Sequence, residues 1–248
     1  NVPHGDIQVI FSIGEESGLY GAKYLDINDI ASKCVYVFDA GSPVGSLTTS
    51  APYHDNFNVK FHGKAAHSGS DPEKGINAVL AACKAVANMK LGRIDPETTA
   101  NVGVINGGVA KNIVPEFCMV EAEARSREEG KLAAQTEHMV EVFHEAAADV
   151  GAGVDIEVIR SYSGYNIPPD AQIVKMASEA ARRVGIKAEL HAGGGGSDAN
   201  ILNSKGIPAL PVGVGYNDPH SVEENLPIAD FVKCTEMTVE LIKVAAGN

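Results

Sequence analysis

The 248-residue chain lacks several features that identify common classes of protein. It contains no tryptophan, and its four cysteines form no CxxC pair, which argues against a zinc knuckle and a dense disulfide framework. We therefore expect reduced, mostly buried thiols. The chain also has no apolar run near the roughly 20 residues that span a bilayer, and no basic segment followed by an apolar one at its start. These absences predict a soluble, cytoplasmic protein without membrane contact.

Positive charge is scarce. The sequence has 20 Lys and Arg against 32 Asp and Glu, which gives a formal net charge of −12 and a pI near 5.1. Nucleic-acid binding usually needs a basic surface, so nucleic acid is excluded as an expected partner and a cation suits the chain better. With 44% hydrophobic residues, the chain can bury the core of one large or two modest domains.

The order of apolar patterns predicts one domain inserted into another. An apolar run at Ile7 to Ile13, a helical segment and a second run at Cys34 to Gly41 indicate a βαβ arrangement. From Asn56 onward the patterns follow the order β-α-β-β-α-β of a ferredoxin-like domain. We therefore predict an α/β protein, with a mixed sheet and flanking helices in residues 1–55 and 164–248 and an inserted α+β domain in residues 56–163.

Acidic side chains follow the first two predicted strands. The stretch IQVIFSIGEESG places Glu15 and Glu16 directly after the first strand, and Asp39 lies at the end of the second. Because the carboxyl ends of parallel strands share one sheet edge, where ligands bind, these acids are expected to lie close together. From these residues alone two interpretations stay open: solvated acids at a helix start, or acids gathered around a cation.

Three other stretches contain residues capable of chemistry. The glycine run GGGGSDAN opens a predicted helix, and its amides suit an anionic or carbonyl oxygen as well as they suit a flexible loop. VGVGYNDPHSVEE places His220 in a loop after an apolar strand, and GKAAHSGSDPEKG places His67 at the end of another strand. Each histidine is equally compatible with an ordinary surface position.

Together these motifs occur in a recognisable order. The tandem Glu-Glu, the Asp after the next strand, AAHSG, NIVP, GGGSDA and a late His-Ser followed by acids resemble the M20 family of co-catalytic zinc aminopeptidases and amidohydrolases. Within that family, the segment PHGDIQVIFSIGEESG is most similar to the peptidase T branch of tripeptidases, even outside the reactive residues. The resemblance extends from end to end of the chain. It implies a zinc-peptidase catalytic domain carrying an inserted lid and dimerisation domain.

The resemblance implies a role for each acid of the tandem. Glu15 would be the general base, Glu16 and His220 would bind one zinc ion, and Asp39 would bind the second. Cobalt or manganese are possible substitutes. A cation explains the adjacent acids, because it offsets their repulsion and lowers the pKa of water, so that a carboxylate suffices as the base.

The resemblance also implies four substrate-binding residues. His67 would stabilise the oxyanion from the lid, often across a dimer interface. Asn112 of the NIVP motif, Gly195 of the glycine run and the neighbouring Asp198 would contact the substrate. The expected partners are therefore a short peptide and a second copy of the chain.

The sequence departs from the family pattern before Glu15. Members of the family carry an H-x-D motif and an Asp that bridges the two metals, and neither is matched there. His4 and Asp6 form an H-x-D string, but they stand where the family has a non-ligand turn. We expect a zinc-dependent aminopeptidase of short peptides whose catalytic domain is incomplete at its N-terminus. The alternatives are a deacylase of N-acyl amino acids and an inactive fragment whose lid mediates dimerisation.

Overall fold

The computed structural model describes residues 4–247, which form two compact units. The terminal unit contains the residues up to Pro52 and those from Ser163 onward, and the insert unit is Tyr53–Tyr162. The strands are β1 Val35–Ala40, β2 Ser46–Ala51, β3 Tyr53–His62, β4 Gly92–Arg93, β5 Thr98–Gly107, β6 Phe117–Ser126, β7 Gly153–Tyr162, β8 Tyr165–Asn166, β9 Glu189–Ala192 and β10 Ala209–Gly213. The helices are α1 Tyr20–Tyr24, α2 Ala78–Asn88, α3 Glu129–Val150, α4 Gln172–Arg183, α5 Asp198–Ser204 and α6 Ile228–Ala245. No helix within residues 4–247 is long and apolar enough to cross a membrane.

The insert unit is an antiparallel sheet covered by two helices. Its strands lie in the order β4-β5-β6-β3-β7, and α2 and α3 pack on one face. The alternation along β3 buries Phe57, Val59 and Phe61 and leaves Asn58 and Lys60 exposed, as expected of a half-buried strand. The predicted β-α-β-β-α-β order is confirmed, with the two-residue strand β4 as an addition that the sequence pattern did not indicate.

The terminal unit is built on a mixed sheet. Strands β1 and β10 are parallel, β2 is antiparallel to β10 and β8, and β9 pairs in parallel with β2. Leu47 of β2 and Leu210 of β10 lie in a core with residues of α4 and α6, among them Val174 and Met237. The predicted mixed sheet with flanking helices is therefore confirmed.

One predicted strand is wrong. Residues 7–13 adopt no strand in the structure, and their apolar side chains are largely exposed, with Phe11 at 91% and Ile13 at 79%. The predicted second strand exists as β1, but it pairs in parallel with β10. A strand exists only where its backbone pairs with a neighbour, so an apolar run without a paired neighbour among residues 4–247 stays irregular.

The cysteines follow the prediction only in part. All four thiols are free, and Cys118 and Cys234 are buried. Cys34 is half-buried and Cys83 is exposed, so the expectation of mostly buried thiols holds for two of the four. The difference at Cys83 arises because it lies on α2, a helix that buries a different face, formed by Ala78, Ala81, Ala82 and Ala85.

Candidate metal centre

A tight turn, and no strand, presents the tandem glutamates. The amides of Gly18 and Leu19 donate to the carbonyl oxygen of Glu15 at 3.0 and 2.9 Å, and the chain then enters α1. Gly14 and Gly18 have φ values of +64° and +117°, which glycine adopts readily. The G-E-E-S-G sequence thus turns the chain and leaves Glu16 exposed, while Glu15 is half-buried.

A second loop brings His220 to Glu16. The Nδ1 atom of His220 lies 3.7 Å from Oε1 of Glu16, although more than 200 residues separate them. The backbone N–H of His220 donates to Oε2 of Glu224 at 3.0 Å. His220 also has a φ of +62°, a left-handed conformation that is uncommon outside glycine and often marks functional loops. The structure therefore joins two residues that the sequence assigned to the same ion.

Asp39 belongs to the same cluster. It lies near the end of β1, and the hydroxyl of Tyr216 donates to its backbone carbonyl at 3.1 Å. Burial raises the pKa of its carboxyl, the charges of Asp198 and Glu16 raise that pKa further, and His220 lowers it. Asp39 is therefore within electrostatic reach of the pair formed by Glu16 and His220.

Among the acids of the cluster, Glu15 has the most strongly shifted pKa. Burial is the main cause that raises its pKa to about 7, followed by the negative charges of Asp39, Glu16 and Asp198, while His220 acts in the opposite direction. Four carboxyls and one imidazole thus act on one another. We call these five residues the acidic cluster.

The donor chemistry of the acidic cluster suits zinc, but the described side chains fit only part of a site. Carboxylate and imidazole are ordinary zinc ligands, and a zinc site takes four ligands. Within residues 4–247, no group of three or more His, Cys, Asp or Glu side chains is arranged to hold a metal ion. Glu16 and His220 supply two neighbouring donors, and the repulsion within the cluster is of the kind that a cation relieves.

The glycine run leads into a firmly held Asp198. Ser197 and Asn200 form a capping box at the start of α5, and the Asn200 amide also donates to the carbonyls of Pro52 and Ser163. Asp198 is 9% exposed. Gly195, in contrast, is exposed and has open space where a side chain would stand.

One oxygen of Asp198 is engaged and the other is not. Its Oδ2 accepts a short hydrogen bond from the hydroxyl of Ser12. Its Oδ1 is buried and has no hydrogen-bond partner among the described residues. Sequence reasoning missed Ser12, since nothing in a local pattern links a serine to an aspartate 186 positions away.

In the insert unit, His67 and Asn112 lie on neighbouring segments. His67 forms a β-bridge with Ile113, and the amide of Ser68 donates to the carbonyl of Asn112 at 3.1 Å. Nδ1 of His67 accepts from the amides of Gly69 and Ser70, each at 3.1 Å. A neutral ring whose Nδ1 accepts carries its proton on Nε2, and within residues 4–247 this nitrogen of the exposed His67 has no hydrogen-bond partner.

Two family descriptions match the chain. That of the M20-type peptidase dimerisation domain matches residues 53–150, and that of the M42 glutamyl aminopeptidase matches residues 129–237. The first of these matches coincides with most of the insert unit. The second runs from α3 into α6.

Three similar proteins extend the comparison over the whole chain. The uncharacterised protein YqjE of Bacillus subtilis is 43% identical over 246 residues, which are 99% of this chain and 66% of YqjE. Aminopeptidase PepT of Bacillus cereus is 41% identical with a TM-score of 0.91. A tripeptidase of Staphylococcus aureus is 40% identical with a TM-score of 0.95.

This chain spans 66% of the length of each of these three proteins. Each of the two structures matches 100% of this chain, while this chain covers 66% of each. The matched part includes both units and every motif that carried the resemblance. The chain therefore belongs to the M20 family of peptidases.

Proposed function

We propose that the protein is a zinc-dependent aminopeptidase that hydrolyses short peptides, tripeptides above all. The observation that carries the proposal is the pair formed by Nδ1 of His220 and Oε1 of Glu16, 3.7 Å apart. The charges of Glu16 and His220 also act on the carboxyl of Glu15. Similar proteins described as an aminopeptidase and as a tripeptidase support the same class of reaction.

Glu16 and His220 are proposed as ligands of one ion and Asp39 as a ligand of the second. When bound, zinc supplies a Lewis acid that lowers the pKa of water and polarises the peptide carbonyl, and cobalt or manganese would supply the same. These three residues are a partial set, because the 248 residues have no matched position for the H-x-D motif and the bridging Asp of the family pattern.

Glu15 is proposed as the general base. It accepts a proton from the attacking water and passes it to the amine that leaves when the peptide bond breaks. A carboxylate in half-buried surroundings is a stronger base than one in water, and a base is most effective when its pKa lies near the working pH. Without a metal ion, burial and the neighbouring acids raise the pKa of Glu15 to about 7, and a bound cation would lower it again.

The remaining assignments concern substrate binding and assembly. The free Nε2 donor of His67 is suited to an oxyanion, since preorganised donors stabilise the charge that develops in the transition state. Asn112 and the open glycine run at Gly195 are proposed to contact the substrate. We further propose that residues 1–55 and 164–248 act as the catalytic domain and residues 56–163 as a lid that forms a homodimer, consistent with the match to a peptidase dimerisation domain.

The test is replacement of the proposed base. Glu15→Gln should lower the turnover of a tripeptide by roughly 10²- to 10⁴-fold, because the side chain keeps its size but cannot accept the proton. Zinc content, measured on the same samples, should not change. Glu157→Gln, an exposed position in the insert unit, is the matched control and should retain wild-type turnover. Near-normal turnover of Glu15→Gln would contradict the assignment of Glu15 as the base. Hydrolysis that continues in the presence of a chelator would contradict the proposed metal dependence.

A further inference from the structure

The proposed ligands Asp39 and His220 lie on two segments that leave neighbouring strands of the terminal unit. Asp39 stands near the end of β1, and His220 lies in residues 214–225, which follow β10 and which we call the His220 loop. β1 and β10 pair in parallel, so both segments start at the same edge of the sheet. The contacts that hold the His220 loop at this edge therefore determine where its imidazole lies.

Tyr216, at the start of the His220 loop, is bonded to the segment after β1 through both its side chain and its backbone. Its hydroxyl donates to the backbone carbonyl of Asp39 at 3.1 Å, and its own carbonyl accepts from the amide of Ser42 at 3.0 Å. A Cβ added at Gly41 would lie 3.3 Å from Cε2 of the tyrosine ring, so the glycine leaves the room that this close contact needs. One residue thus spans the segment from Asp39 to Ser42.

Ser42 and Asn217 extend this attachment into the His220 loop. The hydroxyl of Ser42 lies 3.1 Å from the carbonyl of Gly215 and 2.9 Å from Oδ1 of Asn217. The amide of Asn217 donates to the carbonyl of Asn225 at 2.9 Å, and the reverse bond measures 3.3 Å. His220 lies between these two asparagines, so the loop that carries it is closed at its base and the base is fixed to the end of β1.

We propose that Tyr216 is a positioning residue, which fixes the His220 loop to the end of β1 and thereby holds His220 beside Glu16 before a metal ion binds. The inference rests on the proposed function, in which Glu16 and His220 bind one zinc ion and Asp39 binds the second. Tyr216 acts through these residues and contacts neither the ion nor the substrate. Its effect on affinity follows because an ion binds only the fraction of the protein whose ligands are in place.

The experiment removes the hydroxyl of Tyr216 and nothing else. In metal-free Tyr216→Phe, hydrogen exchange at the amides of Asn217 and His220 should be roughly 2- to 12-fold faster than in the wild type, the factor that one net hydrogen bond contributes. The Kd of zinc, measured by calorimetry, should rise by a similar factor of roughly 2 to 12. Unchanged exchange at both amides would overturn the inference, and so would an unchanged Kd of zinc.

Tyr36→Phe is the matched control, because it removes a similar bond elsewhere in the same unit. The hydroxyl of Tyr36 donates to the carbonyl of Ile173 at 3.0 Å, beside the core that α4 covers. This variant should lower stability in urea but leave both the exchange of the His220 loop and the Kd of zinc unchanged. If it weakens zinc binding as much as Tyr216→Phe does, the effect is a general loss of stability and the proposal is overturned.

Two further outcomes separate this inference from the proposed function. If the wild type neither binds zinc nor hydrolyses a tripeptide, the proposed function fails, while faster exchange in metal-free Tyr216→Phe still supports its hold on the His220 loop. If the wild type does both and Tyr216→Phe keeps the wild-type exchange and Kd, the function stands and the positioning role is refuted. Should Tyr216→Phe fail to fold, Ser42→Ala decides, because unchanged exchange at Asn217 in that variant overturns the attachment.

Discussion

Three phenylalanines of the insert unit and two of the terminal unit differ sharply in exposure. In the insert unit, Phe57, Phe61 and Phe143 are at most 1% exposed and pack against one another. In the terminal unit, Phe11 is 91% exposed and Phe231 is 60% exposed. The insert unit therefore closes an aromatic core, although Val109 and Phe117 of the same unit are 87% and 43% exposed.

Two acids, one in each unit, have pKa shifts of opposite direction. In the insert unit, a hydrogen bond from His54 lowers the pKa of Glu123 to about 2, with Arg125 adding to the effect. In the terminal unit, burial and neighbouring acids raise the pKa of Glu15 to about 7. An acid with a basic partner contributes stability, while an acid among other acids costs stability. Such a cost marks a candidate functional site, because strongly perturbed pKa values cluster where chemistry is done.

The largest expected difference between the two units is in the cost of replacing a phenylalanine by alanine. Phe143→Ala should lower the free energy of unfolding by about 3–5 kcal/mol, because it leaves a cavity in a closed core. Phe11→Ala makes the same change at a side chain that is 91% exposed and should cost less than about 0.5 kcal/mol. Urea denaturation of both variants measures the difference. Equal costs would show that residues 7–13 are buried in solution and would remove the contrast.

Zinc should stabilise one unit and not the other. At a free zinc concentration 100 times the dissociation constant, a ligand that binds only the folded state adds about 2.7 kcal/mol. Hydrogen exchange should therefore slow at residues 14–20 and 214–225, which form the two loops of the acidic cluster, and remain unchanged in the insert unit. Glu16→Gln should abolish the effect. Protection that is equal in the two units would contradict a metal site confined to the acidic cluster.

Sequence reasoning performs well where structure is local and periodic. Alternation along β3 and helical spacing in α3 predicted both elements, because each buries one face of a regular element against a neighbouring layer. The insert unit consists largely of such elements, so its order of strands and helices could be predicted. The two-residue β4 could not, because a pair of residues carries no periodicity.

The acidic cluster was predictable by residue type but not by arrangement. Glu15, Glu16, Asp39 and His220 were identified from motifs, and the structure brings Glu16 and His220 to within 3.7 Å of each other. Glu15, however, follows an irregular segment where a strand was expected. Whether an apolar run becomes a strand depends on a partner backbone, which a local pattern does not reveal. The contact of Ser12 with Asp198 and the hydroxyl of Tyr216 on Asp39 likewise depend on residues that are distant in sequence.

The smallest expected effect is the pH dependence of stability that Glu123 of the insert unit contributes. Because the folded pKa of Glu123 is about 2 and lies below its ordinary value of 4.5, its stabilisation is complete above pH 4.5. That stabilisation is lost as the pH falls from 4.5 towards 2. Glu123→Gln should therefore lower stability at pH 7 by about 1 kcal/mol, a value reduced by solvent screening of a partly exposed group, and should have no effect near pH 2.

Glu15 should give the opposite slope and so sharpen the comparison. Its folded pKa of about 7 lies above the ordinary 4.5, so the folded terminal unit holds the proton more tightly and loses stability as the pH rises from 4.5 through 7. In the presence of a chelator, Glu15→Gln should remove this loss, while Glu123→Gln should leave it intact. Urea denaturation at pH 3, 4.5 and 7 measures both slopes. Slopes of the same sign would mean that the two acids share one kind of environment, because only opposite partners give opposite linkage.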